Sequence, residues 1–476
     1  MSDKFTCLYL TRSGLKNVQA NDESENISPD NCYTEDFVDR LNDHHFIGFS
    51  DYSNEIFLYH YVRLMELCEL LRSSDCSRSS FFAQFLDKVF FLRAKSISHH
   101  KVFFVSRALR FSRVLVEFLF SVVAIFFLSF FLPFYLIRRR KSDSSLKYDA
   151  KRKFVFLIRS KAAYQRSRVR IEKSTSALTL VDNYGGLDVP GCSIYSVINC
   201  KNIFKIAVKS TLYALRDIWC FFKDSNMMLG AVCSLALFPG YIKKIAHKSV
   251  YEACLNEVIY LSPGAVFFTG DKEDRFALLQ TRICEREKKS LFCLPHGLEY
   301  GFRFPGGLAA TTFYCFTSEA AEFLNDLYYE TKFVYSELVT DEMFGADFEK
   351  QAERNVERLV FFTEPRDPEI NYEIVKELMG KNIRFSLKLH PLEESGDYSK
   401  RFPEIEQVND FNDAICSTVC LARKSTVLLE ASRRGAKAVA LLVNEKDRTY
   451  VMKIFPSLCS KSILRAFTFN ELQEFL

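Results

Sequence analysis

Between Phe118 and Ile137 the chain runs for twenty residues without a charged side chain. At about 1.5 Å of rise per residue, a helix of that length covers the ~30 Å hydrocarbon core of a bilayer. Arg107, Arg110 and Arg113 precede the run, and Arg138, Arg139, Arg140 and Lys141 follow it. The heavier downstream cluster favours a cytoplasmic C-terminal portion. Positive flanks on both sides, with Pro133 near the end, also suit a re-entrant or interfacial helix whose two flanks are both cytoplasmic. A Phe-rich core helix is the soluble alternative. A second apolar run, Met227 to Ile242, has sixteen residues and is broken by Pro239-Gly240, which is the length of a core helix.

The chain has 476 residues, enough for two or three domains. Hydrophobic residues at 48% and charged residues at 26% exclude wholesale disorder. The formal charge of +5 is too small to imply a nucleic-acid partner, and no basic stripe stands out. Fifteen cysteines, with no Cys-x-x-Cys pair and no clustering with His, read as free thiols of a reducing compartment. The start, Met1 to Asn17, lacks a basic segment followed by an apolar one, so no secretory signal is expected.

Residues 1–110 carry a helical pattern at Ile56 to Leu71 and five of the eight histidines, His44, His45, His60, His99 and His100, without partners at metal-ligand spacing. Their role is unknown. From Lys151 short apolar runs alternate with helical patterns: Phe154–Ile158, Ala177–Val181, an amphipathic stretch at Ile203–Phe222, then Ala265–Thr269, Leu291–Leu294, Thr312–Phe316, Leu359–Phe362, Phe385–Leu389, Ile415–Leu421 and Ala438–Val443. That alternation predicts parallel sheets in two doubly wound lobes with a hinge near Tyr335 to Arg354. Helices are expected at Pro368–Met379, with Gly380 just past the end, and at Thr426–Arg434, with Gly435 past the end.

Two histidines follow residue 247, and each closes a short apolar run: His296 in Leu291-Phe-Cys-Leu-Pro-His296-Gly297 and His390 in Phe385-Ser-Leu-Lys-Leu-His390-Pro391. Strand ends are where open α/β sheets hold ligands. Ser425 and Thr426 lie between an expected strand and helix, where hydroxyls and unpaired backbone N–H groups make an anion site, though either hydroxyl serves equally as a plain cap. Glu430, one turn on, can accept from a ribose hydroxyl or pair with Arg434. Arg423 and Lys424 are either added positive charge or solvated surface. Cys293 is near His296, but its spacing suits packing better than a nucleophile.

In this set, residues 260–443 resemble the bacterial surface-polysaccharide glycosyltransferases of GT-B type: capsule sialyl- and polysialyltransferases, capsule Kdo transferases and CDP-glycerol polymerases. The pairs His390-Pro391 and Ser425-Thr426 match the pairs that hold the nucleotide phosphate and ribose in those families. Glu299-Tyr300-Gly301 has the Glu and Gly of the sialyltransferase acidic-acidic-Gly motif but Tyr in place of one acid, and His296-Gly297 resembles the His-Gly of the CDP-glycerol polymerases. The resemblance implies an α/β, GT-B-like pair of doubly wound parallel-sheet lobes, set by the alternation of runs at 151–340 (acceptor side) and 341–476 (nucleotide side), behind the membrane-associated segment that the apolar run and its basic flanks place at 111–150. It implies transfer of a sugar, foremost from a CMP-linked acidic donor, to a lipid-linked or growing surface polysaccharide, with His296 or Glu299 as base and His390, Pro391, Ser425, Thr426 and Glu430 on the donor. The nucleotide sugar is a co-substrate, and no cofactor is implied. No Asp-x-Asp triplet occurs, so a metal-independent mechanism is expected, with the lobes cytoplasmic. A CDP-glycerol-type polyol-phosphate transferase and a non-catalytic membrane scaffold are the alternatives.

Overall fold

The computed structural model describes residues 7–11, 14–18, 24–27, 107–139, 152–222, 227–273, 275–304, 307–345, 356–365, 367–393 and 395–476. The expected helix at Ile56–Leu71, the five N-terminal histidines and the flanking Arg140 and Lys141 lie outside the described residues. The chain divides into two compact units, one of Met1–Ser167, Ile171–Leu294 and Phe304–Thr312, the other of Arg168–Arg170, Pro295–Arg303 and Phe313–Leu476.

The first unit opens with an antiparallel meander, β1 (Cys7–Thr11), β2 (Gly14–Val18) and β3 (Ser24–Ile27), for which the sequence supplied no signal. Helix α1 (Arg107–Arg139) contains the long apolar run and passes through Pro133. Its stretch Leu115–Arg138 is long and apolar enough to cross a membrane by length and composition, and only 22% of its apolar window is buried. Phe118, Ile125, Leu132 and Leu136 form its one inward stripe, at helical spacing.

β4 (Phe154–Ile158), α2 (Lys161–Lys173), β5 (Ala177–Val181), β6 (Cys192–Ser193), α3 (Ile203–Phe222), α4 (Met227–Leu261), β7 (Val266–Thr269), α5 (Arg275–Arg286) and β8 (Leu291–Cys293) follow. Within this unit the strands run parallel in the order β8-β7-β4-β5-β6. Four of the five β4 residues are buried, the continuous apolar pattern of a strand covered on both faces. Ser160 caps α2 by accepting from the Ala163 N–H at 3.0 Å. The second apolar run does not stop at Pro239-Gly240. It continues as the 35-residue α4, in which Pro239 removes one ladder hydrogen bond while Phe238 and Tyr241 beside it are buried.

The second unit holds β9 (Thr312–Cys315), α6 (Ser318–Tyr328), β10 (Phe333–Tyr335), α7 (Glu337–Phe344), β11 (Val356–Phe362), α8 (Pro368–Gly380), β12 (Ser386–Lys388), α9 (Ser395–Arg401), α10 (Phe411–Ile415), β13 (Ser417–Ala422), α11 (Val427–Arg433), β14 (Lys437–Leu441), α12 (Glu445–Thr449), β15 (Leu464–Ala466) and α13 (Phe469–Phe475). β9 and β10 pair in parallel. β11 to β15 form a parallel sheet in the order β12-β11-β13-β14-β15. The expected pair of parallel-sheet α/β lobes is thus present. β10 and α7 occupy the first part of the expected hinge. Gly380 is the last residue of α8 rather than the residue past it, and Asn382 takes the left-handed conformation at φ 55°. Gly435 does stand past α11 at φ 80°, where a Cβ would be strained.

Candidate functional site

Strand order locates the crevice in each sheet. In the second unit β11 leads to β12 on one side and β13 lies on the other, so the chain reverses direction across the sheet between β11 and β13. Ligands of open α/β sheets bind outside the carboxyl ends at such a reversal. Thr363 and Glu364 leave β11 there, Arg423 to Thr426 leave β13, and His390 leaves β12. With strands about 4.8 Å apart, His390 and Ser425 flank Thr363-Glu364 at roughly 10 Å.

The His390 turn is held firmly. Its N–H donates to Thr363 Oγ1 and Glu393 Oε2, both at 3.1 Å, and the Thr363 hydroxyl also donates to Glu393. Tyr398 donates to Glu393 Oε1 at 2.9 Å. The imidazole Nδ1 accepts from the Leu392 N–H at 3.2 Å, which assigns the neutral ring's proton to Nε2. Burial lowers the His390 pKa from its ordinary value, against a smaller upward pull from Glu393. His390 is therefore a neutral Nε2–H donor at the strand end. Pro391 beside it is exposed.

Arg423 and Lys424 are not solvated. Arg423 is fully buried and forked onto Asp447 at 2.6 and 3.0 Å, with Nη1 donating to Asn371 Oδ1 at 3.1 Å. Lys424 Nζ lies 3.0 Å from the same carboxylate and 4.1 Å from the centre of the Tyr450 ring, and its N–H donates to Glu364 Oε1 at 2.6 Å. Burial raises the Glu364 pKa in spite of Lys424 and Arg423. Ser425 Oγ accepts from the Val427 N–H at 3.3 Å, while Thr426, in the cap position, makes no side-chain cap bond. Glu430 is buried and pairs with Arg434 at 2.8 Å.

His296 is half-buried just past β8. Glu299 is fully buried, its Oε1 accepting from the Phe316 N–H at 2.8 Å and its Oε2 from the Ser457 hydroxyl at 2.6 Å. Gly301 donates its N–H to Ile454 at 2.7 Å, and a Cβ there would meet the Lys453 carbonyl at 2.4 Å. Glu299 and Gly301 thus stitch their segment to residues 453–457.

The first unit holds a polar cluster that the sequence reading missed. Its strand order reverses between β4 and β7, and Arg159 follows β4, Asp182 follows β5 and Asp271 lies two residues past β7. Arg159 donates to Asp182 at 3.2 Å and to Asp271 at 3.0 Å, its guanidinium 3.5 Å from the centre of the Phe276 ring. Asp182 Oδ1 accepts from Tyr195 at 2.8 Å and from His247 Nε2 at 3.1 Å. Tyr184 stacks on the His247 ring at 4.1 Å. Burial alone would raise the Asp182 pKa, but the His247 hydrogen bond and charge, with Arg159 and Tyr195, carry it well below the ordinary carboxylate range. A cleft of about 490 Å³ opens there, lined among others by Arg159, Asp182, Tyr184, Lys243, Lys244 and His247. The available signals were Asp182 directly after a strand and Lys243, Lys244 and His247 on one helix face.

No known protein-family model matches the chain, and no curated protein matches it significantly. Among solved structures it is similar to the UDP-GlcNAc 2-epimerase of Neisseria meningitidis bound to UDP-GlcNAc, at 9% identity and TM-score 0.37 over 66% of this chain and 86% of that one. It is also similar to the UDP-GlcNAc 2-epimerase of Methanocaldococcus jannaschii, at 10% identity and TM-score 0.36 over 68% of this chain and 91% of that one.

Proposed function

We propose that the protein is a membrane-associated, nucleotide-dependent glycosyltransferase, foremost one using a CMP-linked acidic sugar to extend a lipid-linked or growing surface polysaccharide. The observation that carries this reading is the His390 donor held with its proton on Nε2 at the carboxyl end of β12, across the end of β11 from the Ser425-Thr426 turn. A neutral N–H, two hydroxyls and the start of a helix suit the phosphate of a departing nucleotide. In the transfer the acceptor oxygen bonds the anomeric carbon, the bond from that carbon to the phosphate oxygen breaks, and the acceptor proton passes to His296. CMP leaves.

Glu299 favours a second reading in the same frame. Its carboxylate is buried and engaged on both oxygens, which leaves His296 as the better-placed base and brings the site closer to the CDP-glycerol-type alternative, whose leaving group is also CMP. The basic cleft around Lys243, Lys244 and His247 is assigned to an acidic glycan acceptor. The test is a thermal-shift screen of the full-length protein in detergent against CMP-, CDP-, UDP- and GDP-linked donors, since a ligand of the native state raises the melting temperature by mass action. Stabilisation by cytidine donors supports the proposal. No stabilisation by any of the four would leave the scaffold alternative.

A further inference from the structure

Helix α3 is apolar on its outer side as well as on its inner one. Its buried face carries Ile206, Ala207, Ala214 and Ile218 together with Ser210, Thr211 and Asp217, while Phe204, Val208, Leu212, Leu215 and Trp219 stand 64%, 36%, 58%, 39% and 66% exposed. The spacing of these five, at i, i+4, i+8, i+11 and i+15, makes one apolar stripe along the helix. The inward face is fixed by buried charge. Lys248 on α4 donates to Asp217 at 2.6 Å, Arg216 forks onto Glu252 of α4 at 2.9 and 2.7 Å, and Arg282 of α5 reaches the same carboxylate at 3.2 Å. Rotating α3 to hide its stripe would strand Asp217 and Lys248, both fully buried, without partners, a strongly unfavourable state. The apolar side must stay outward.

That side is continuous with α1. Phe130 of α1 meets Phe204 edge to face at 6.1 Å, and Phe120, Phe127, Phe131 and Tyr135 are exposed on α1. Contiguous apolar patches of this extent mark contact surfaces. Lipid is the occupant that fits, because half of the patch is a helix long and apolar enough for a bilayer, and because Arg138 and Lys201, both exposed, lie at the end of α1 and the approach to α3, where cations meet headgroup phosphates. A helix held to α4 and α5 by buried charge pairs cannot cross the membrane alone, but it can lie along the interface.

We infer that the α3 stripe is a second lipid-contacting surface, and that α1 and α3 present one apolar face to a single leaflet, so that the first unit binds the membrane from its side. The inference deepens the membrane part of the proposed function and rests on α1 entering lipid.

Trp219 is the only tryptophan in the chain, so it reports on α3 without mutagenesis. The full-length protein is moved from detergent into phosphatidylcholine/phosphatidylglycerol vesicles with and without brominated acyl chains. The expected result is a blue-shifted Trp219 emission that the brominated lipid largely quenches, with vesicle partition weakened about tenfold in Leu212→Gln/Leu215→Gln. Co-flotation with a water-exposed, unquenched Trp219 would overturn the inference and leave α1 as a sole anchor. Loss of flotation altogether would overturn both. A blue shift that follows protein concentration without lipid, with doubling of mass, would assign the face to a second copy and overturn the inference.

Discussion

The Glu299 carboxylate accepts from the Ser457 hydroxyl at 2.6 Å, joining residues 158 apart in sequence. Neither Glu299 nor Ser457 is accessible to solvent. Glu299→Gln should therefore act on folding: a loss of about 1–3 kcal/mol in denaturant unfolding, the scale for disturbing a buried hydrogen-bonded group, with near-native turnover in the folded fraction. His296→Ala should do the reverse, cutting turnover by about 10²–10⁴ with little change in stability. Turnover assays paired with unfolding curves decide between the two residues.

Arg423 is the other fixed point. Asp447→Ala leaves a fully buried guanidinium without its carboxylate and should cost about 3–5 kcal/mol. Because the same carboxylate holds Lys424, whose N–H anchors Glu364, nucleotide affinity should fall with it. A melting temperature within a degree of the parent would show that Asn371 and the Asp367 carbonyl hold the guanidinium without the carboxylate.

Acid should loosen the first unit. The folded-state pKa of Asp182 lies well below its ordinary value of 3.8, and that of Glu252 is about 2 against 4.5, held down by Lys248, Arg216 and Arg282 against burial. As pH falls the unfolded chain takes up these protons first. The stabilisation is complete above about pH 5 and is lost as pH drops through the folded values. Asp182→Asn should lower stability at pH 7 and flatten the decline between about pH 5 and 3 by one proton's worth. Unfolding measured across that range checks the slope.

An acidic acceptor predicts a kinetic split. Lys243→Gln/Lys244→Gln should raise KM for an oligosaccharide of acidic sugars about tenfold or more, the value of charge-assisted contacts, while kcat and the KM for the donor stay close to native. Equal KM values would remove the cleft from the reaction.

The sequence was most legible where one physical signal dominates. α3 falls at Ile203–Phe222 as its periodicity indicates, and β4 and β5 coincide with their expected runs, β4 because a strand buried on both faces needs uninterrupted apolar residues. β10 and β15 have three residues each, as do β8 and β12, but only β8 and β12 were marked by a run that ends in a histidine and a turn residue. The α3 pattern revealed an amphipathic helix but not which side faces out. That is decided by charges on α4 and α5, far along the chain. The same limit hid the first-unit cluster: Asp182 and His247 are 65 residues apart, and only the sheet order brings them together. For Glu299 the short motif was visible, whereas its engagement with Phe316 and Ser457 was not.

The proposed function puts a cytidine nucleotide's phosphate at the carboxyl end of β11–β13 with His390 Nε2–H as a donor. Isothermal calorimetry of CMP binding to the full-length protein tests it most directly. His390→Ala should weaken CMP by about 1.5–3 kcal/mol, the scale for a hydrogen bond to a charged group, with Ser425→Ala/Thr426→Ala weakening it comparably and the fold intact by circular dichroism. CMP affinity unchanged in folded His390→Ala, or no CMP binding by the parent protein, would contradict the account.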